Sequence, residues 1–143
     1  MRGSDDRFEK SGMNHQLTIT VHPELYAICR LESGAEVPPW VKGKKFLTIS
    51  KTTTELSIVC EEKGVPKEIQ AERKRRLMQV EGTLPFSLTG VLAAIAAPLA
   101  EAQVSIFAVS TYDTDYILVE EGELDKAIRV LEAAGHAIQR IAA

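Results

Sequence analysis

An α+β fold is the expectation for this chain, and three observations carry it. Leu17, Ile19 and Val21 alternate with Thr18 and Thr20, which is the period of a half-buried strand. Leu124, Ala127, Ile128 and Leu131 recur at i, i+3, i+4 and i+7, with Glu123, Asp125, Lys126 and Arg129 facing away, which marks an amphipathic helix. From Leu77 onward the patterns follow in the order β-α-β-β-α-β. With right-handed crossovers, that order gives a four-stranded antiparallel sheet with both helices on one face.

Taken in order, the first strand is Leu17 to Val21, and His22-Pro23 reads as a turn before a second extended run, Tyr26 to Leu31. Glu32 to Lys45 contains Gly34, Pro38, Pro39 and Gly43, so it supports at most one helical turn, around Pro39-Trp40-Val41. Phe46 to Ser50 and Glu55 to Glu61 read as strands around a turn at Thr52 to Thr54. Lys63 to Arg76 is highly charged, opens on Gly64 and Pro66, and reads as a connector with a short helix. Then follow a strand Leu77 to Glu81, a turn Gly82 to Pro85, a helix Gly90 to Gln103 and a strand Val104 to Thr111. A strand Tyr116 to Glu120, a helix Glu123 to Ala134 and a strand Ala137 to Ile141 complete the chain. Pro98 removes one intrahelical hydrogen bond and bends the first helix. Gly135 stops the second in the left-handed conformation.

With 143 residues, the chain forms one domain or two small ones that share a core. A net charge of -3 argues against a protein built to neutralise nucleic-acid phosphates. The run Arg73-Lys74-Arg75-Arg76 is flanked by Glu68, Glu72 and Glu81 and reads as a solvated face. Cys29 and Cys60 sit in apolar runs as small buried hydrophobes, which suits a reducing, cytoplasmic compartment. Met1 to Gly12 is polar, looks like an expression leader, and is set aside from the fold. Val91 to Ala100 is too short to cross a bilayer. His15, His22 and His136 are dispersed, with no metal-ligand spacing. There is no phosphate-binding glycine loop and no serine elbow, so the expectation is a non-enzyme with no cofactor and no metal. Trp40 reads as part of the core of the first half, with a partner anchor as the alternative.

Within Val109 to Val119, the turn Ser110 to Asp115 places two carboxylates and four hydroxyls between apolar strands. Together with the helix that opens near Thr89 and Gly90, this looks like a small polar-ligand site. Thr89 reads as an N-cap, and Gly90 allows a ligand close to first-turn N–H groups suited to an anion. The other reading of Ser110 to Asp115 is a hairpin corner satisfied by its own hydrogen bonds.

The chain resembles the small tandem ACT-domain proteins, and among them bacterial relatives of the CASTOR family of cytosolic arginine sensors. The residues that carry the resemblance are Glu55 to Cys60, Phe86 to Leu92, Ala97 to Glu101 and, above all, Ser110 to Val119. The resemblance implies two ferredoxin-like modules of β-α-β-β-α-β order. A degenerate first module spans 13–62, a connector 63–74 and a second module 75–143. It also implies a non-catalytic regulatory protein that binds a free amino acid between modules and pairs as a homodimer. By that resemblance the ligand contacts are Leu88, Thr89, Gly90, Gln103, Val104, Ser105 and Ile106, with backbone groups of Gln103 and Val104 pairing as a strand would. The turn Thr111, Tyr112, Asp113, Thr114 and Asp115 joins them, an aspartate there holding a basic group. A protein-protein or dimerisation module without a metabolite ligand is the alternative.

Overall fold

The computed structural model describes residues 16–82 and 89–142. The described strands and helices are β1 (Thr18–Glu32), β2 (Thr48–Lys51), β3 (Glu55–Glu61), β4 (Ala71–Val80), α1 (Val91–Glu101), β5 (Phe107–Ser110), β6 (Asp115–Glu120), α2 (Leu124–Ala133) and β7 (Ala137–Arg140). The chain divides into a helical unit, Met1–Pro23 with Leu77–Ala143, and a strand unit, Glu24–Arg76. Strands β1 and β4 each run from one unit into the other.

In the helical unit the strands lie in the order β7-β1-β4-β6-β5. This is the expected β-α-β-β-α-β sheet with one strand added. β1 lies between β7 and β4, parallel to β7 from Thr18↔Ala137 to Val21↔Arg140. It meets β4 through the Glu81 N–H, which donates to the Thr18 carbonyl at 2.9 Å. Alternate strand residues Ile19, Val21, Met78, Val80, Ile117 and Val119 share one core with Val91, Ile95 and Leu99 of α1 and with Leu124, Ala127, Ile128 and Leu131 of α2. Both helices therefore cover one face of the sheet. Each fully buried Leu or Ile side chain contributes roughly 1.5–3 kcal/mol.

Pro98 lies inside α1 and has no N–H, so the carbonyl of Ala94, four residues back, loses its helical donor. Buried His136 supplies the replacement. Its Nδ1 accepts from the Leu17 N–H at 3.1 Å, which leaves Nε2–H to donate to the Ala94 carbonyl at 3.1 Å. One imidazole ties α1 to the chain entering β1 and to the chain entering β7.

The strand unit has the order β2-β3-β1-β4. β1 pairs antiparallel with β3 from Tyr26↔Glu61 to Glu32↔Glu55, and β2 pairs with β3 from Thr48↔Val59 to Lys51↔Leu56. Ala27, Cys29, Leu56, Ile58, Cys60 and Val65 form its core, with Trp40, Val41, Ile69 and Ala71 packed against it.

The structure corrects several expectations. The first of the two ferredoxin-like modules, over 13–62, does not take β-α-β-β-α-β form: the strand unit holds no α-helix among its described residues, only strands and a 3-10 turn at Glu62–Gly64. Two prolines and two glycines between 34 and 43 prevent a helix there. By its contacts the chain divides at Pro23/Glu24 and Arg76/Leu77. Ala71 to Arg76 belongs to β4, because Arg73 turns back and donates to the carbonyls of Pro66 at 2.8 Å and Ile69 at 3.0 Å, fixing the approach to the strand. His22-Pro23 is no turn, since β1 passes straight through it. Pro23 falls after β7 has stopped pairing at Val21 and before β3 begins at Tyr26, where a missing N–H costs no ladder bond.

Candidate functional site

Strands β5 and β6 meet at Ser110↔Asp115, and the turn between them is closed by its own groups. The Ser110 hydroxyl donates to Asp115 Oδ1 at 2.5 Å. The Thr111 N–H and hydroxyl both donate to the Thr114 carbonyl, at 2.9 and 3.1 Å. The buried Thr114 hydroxyl donates to the Val80 carbonyl at 2.8 Å, which anchors the turn at the end of β4. The self-satisfied corner therefore describes Ser110, Thr111 and Thr114. Tyr112, 79% exposed, and Asp113 point outward.

That end of the sheet is acidic. Burial pushes the half-buried Tyr116 phenol up from its ordinary range, and the nearby carboxylates of Asp113 and Glu81 push it further in the same direction. Glu81 accepts a hydrogen bond from the buried Thr20 hydroxyl. The sequence reading did not single out Glu81; its position at the mouth of β4, beside the turn, was the available signal.

Helix α1 opens on the chain path leaving the same end of β4. Gly90 is its N-cap, at φ 84°, and so offers no capping side chain of its own. The expected cap at Thr89 is thus displaced by one residue, because a residue in the left-handed region at the boundary favours glycine. Thr89 is exposed. Leu88 lies outside the described residues.

The second group of expected contacts is elsewhere. The Gln103 N–H donates to the Ala100 carbonyl at 3.0 Å and the Val104 N–H to the Leu99 carbonyl at 2.9 Å, so both close the C-terminus of α1 and are not left for a ligand. Val104 is buried in the core, Ile106 packs against it, and Ser105 is exposed. The helix between Gly90 and Gln103 is about 16 Å long. Gln103 to Ile106 precede β5 at its Phe107 end, and the turn follows its Ser110 end, about 13 Å away. A free amino acid is shorter than either span, so these residues do not form one pocket within one copy of the helical unit.

In the strand unit, a depression of about 320 Å³ is lined by Glu24, Leu25, Glu61, Glu62 and Lys63. His22 sits in β1 with Nε2 2.8 Å from Gln79 Oε1. Among the described residues there is no group of three or more His, Cys, Asp or Glu arranged to hold a metal. No helix among them is long and apolar enough to cross a membrane.

Residues 70–133 match the family model of the ACT domain, and residues 24–68 match a second model described as an N-terminal domain. Among curated proteins, the human cytosolic arginine sensor for mTORC1 subunit 1 is 31% identical over 115 residues, which is 80% of this chain and 29% of that protein. The chain thus spans under a third of the length of the curated relatives it matches. Among solved structures, a structural-genomics target from Agrobacterium tumefaciens superposes with a TM-score of 0.85 and 29% identity, covering 90% of this chain and 96% of that one. A Vibrio cholerae protein described as a possible transport protein gives 0.73 at 17% identity, covering 92% and 98%, which shows the shared fold.

Proposed function

The chain is an ACT-domain protein similar to the cytosolic arginine sensors, and from that premise we propose that it is a non-catalytic cytosolic regulator that binds a free amino acid and works as a homodimer. The observation that carries the reading is the opening of α1, where a left-handed glycine, Gly90, stands at the N-cap position in place of a residue with a capping side chain. The first-turn N–H groups suit an α-carboxylate. The ammonium, or a basic side chain, then faces Asp113, Asp115 and Glu81 at the acidic end of the sheet. Gln103, Val104, Ser105 and Ile106 lie too far away to serve the same molecule. In this reading they approach the ligand from the second copy, alongside edge strand β5 and the 37% exposed Phe107. Bound ligand then favours one arrangement of the two copies over another.

Thermal unfolding of the purified chain against each standard amino acid tests this. A specific ligand at 100 times its Kd adds about 2.7 kcal/mol, roughly a 10 °C rise in Tm. Asp113→Asn, at an exposed position, weakens that shift with the free protein's Tm unchanged, and Gly90→Val abolishes it. Silence toward every amino acid from a protein that still pairs favours the other reading, a dimerisation module whose contacts are Phe107 and Tyr112.

A further inference from the structure

The strand unit carries a pair of thiols that amino-acid binding does not use. Cys29 lies opposite Ile58 and Cys60 opposite Ala27 on antiparallel β1 and β3, so the two sulfurs are diagonal neighbours on one face of the pair. They are the only two cysteines in the chain. Both are buried, at 1% and 0% exposure, in the core of the strand unit. The two thiols bear on one another: the neighbouring Cys60 and burial push Cys29 up from its ordinary range, while the neighbouring Cys29 draws Cys60 down. What covers them is a loop, since Trp40 and Val41 pack on the same core and the Lys42 carbonyl accepts from the Glu61 N–H at 2.7 Å.

We propose that Cys29 and Cys60 are a concealed disulfide-forming modification site, oxidised by a hydroperoxide when the Trp40 loop lifts. The Cys60 thiolate attacks the peroxide, breaking the O–O bond, to give a sulfenic acid and, after proton uptake, an alcohol or water. The Cys29 sulfur then loses its proton, bonds to Cys60 and expels the hydroxyl as water. Two thiols and one hydroperoxide become one disulfide, one alcohol or water and a second water. The partners are diagonal neighbours on one face, so the second step needs β1 and β3 to draw together locally, and the step before it is uncovering the sulfurs. Closing the bridge pins β1 to β3 around the 30–59 segment and raises the unfolding temperature of the strand unit.

The test treats the whole chain with hydrogen peroxide, with and without sub-denaturing urea, and follows it by intact mass and by alkylation in denaturant. The expected result is a monomer that loses the mass of two hydrogens, resists alkylation at both cysteines and recovers both thiols with dithiothreitol. Urea, or Trp40→Ala, accelerates it severalfold. Fluorescence of Trp40, the single tryptophan, falls in step. Cys29→Ala leaves Cys60 with no resolving partner, so that variant gains oxygen instead. Unchanged mass in urea, oxygen gain at one cysteine of the unaltered chain, or bridging only between molecules overturns the proposal.

Discussion

Helices α1 and α2 cover the same sheet face and end in the same hydrogen-bond pattern, but different residues make the turn. At the end of α2 the Gly135 N–H donates to the Glu132 carbonyl and the His136 N–H to the Leu131 carbonyl, with Gly135 at φ 101°. At the end of α1, Gln103 and Val104 make the equivalent bonds to Ala100 and Leu99, with Gln103 at φ 62°. A left-handed glutamine costs about 1–2 kcal/mol that glycine does not. The interiors differ too. α2 is an uninterrupted amphipathic helix, whereas α1 breaks its own ladder at Pro98 and borrows a donor from the residue just after the α2 stop. One helix is complete in itself, and the other is completed by its neighbour.

The sharpest way to break that comparison is His136→Ala. It strips the donor from the Ala94 carbonyl and the acceptor from the Leu17 N–H, an expected loss of about 2–4 kcal/mol in urea unfolding. Pro98→Ala, which restores a helical N–H for Ala94, recovers about 1 kcal/mol more in the His136→Ala background than in the unaltered chain. An additive double mutant would mean that the imidazole is not standing in for the missing proline donor. Next in size, Gly135→Ala forces a Cβ into the left-handed region at 3.4 Å from the Gln16 side chain, for an expected loss of about 1–2 kcal/mol. Gln103→Gly is the opposite and smallest change. Relief of the left-handed backbone, less the entropy glycine adds to the unfolded chain, stabilises by up to about 1 kcal/mol. If calorimetry showed a loss instead, the glutamine side chain would hold contacts worth more than the strain.

The same contrast explains what could be read from residues alone. α2 was legible to within a residue or two because its apolar stripe and Gly135 obey short-range rules. α1 was placed to within two residues at each end, but its cap residues were not read: a left-handed glutamine carries no composition signal, and Thr89 is a better cap on paper than the glycine beside it. Ala71 to Arg76 was misread as a connector since its charges suggest solvent, while its strand character depends on Arg73 reaching back to carbonyls four to seven residues away. Pro23 in β1 was misread for a related reason, as the gap between two pairing partners is a tertiary fact. The turn at Ser110 to Asp115 was read from the sequence as polar, with a self-satisfied corner as one of two readings, but the Thr114 hydroxyl was not placed, because it donates to Val80, a residue 34 positions earlier.

Strand β1 has a consequence for anyone dissecting the protein. Its first residues fill the middle of a sheet whose other strands come from Leu77 onward, so a gene fragment covering only the matched 70–133 segment would lack both that central strand and β7. Such a truncation leaves β4 as an open ladder edge. Chimeras that transplant this helical layer between relatives must therefore carry two separate stretches of coding sequence, with the intervening residues spliced in as an insertion.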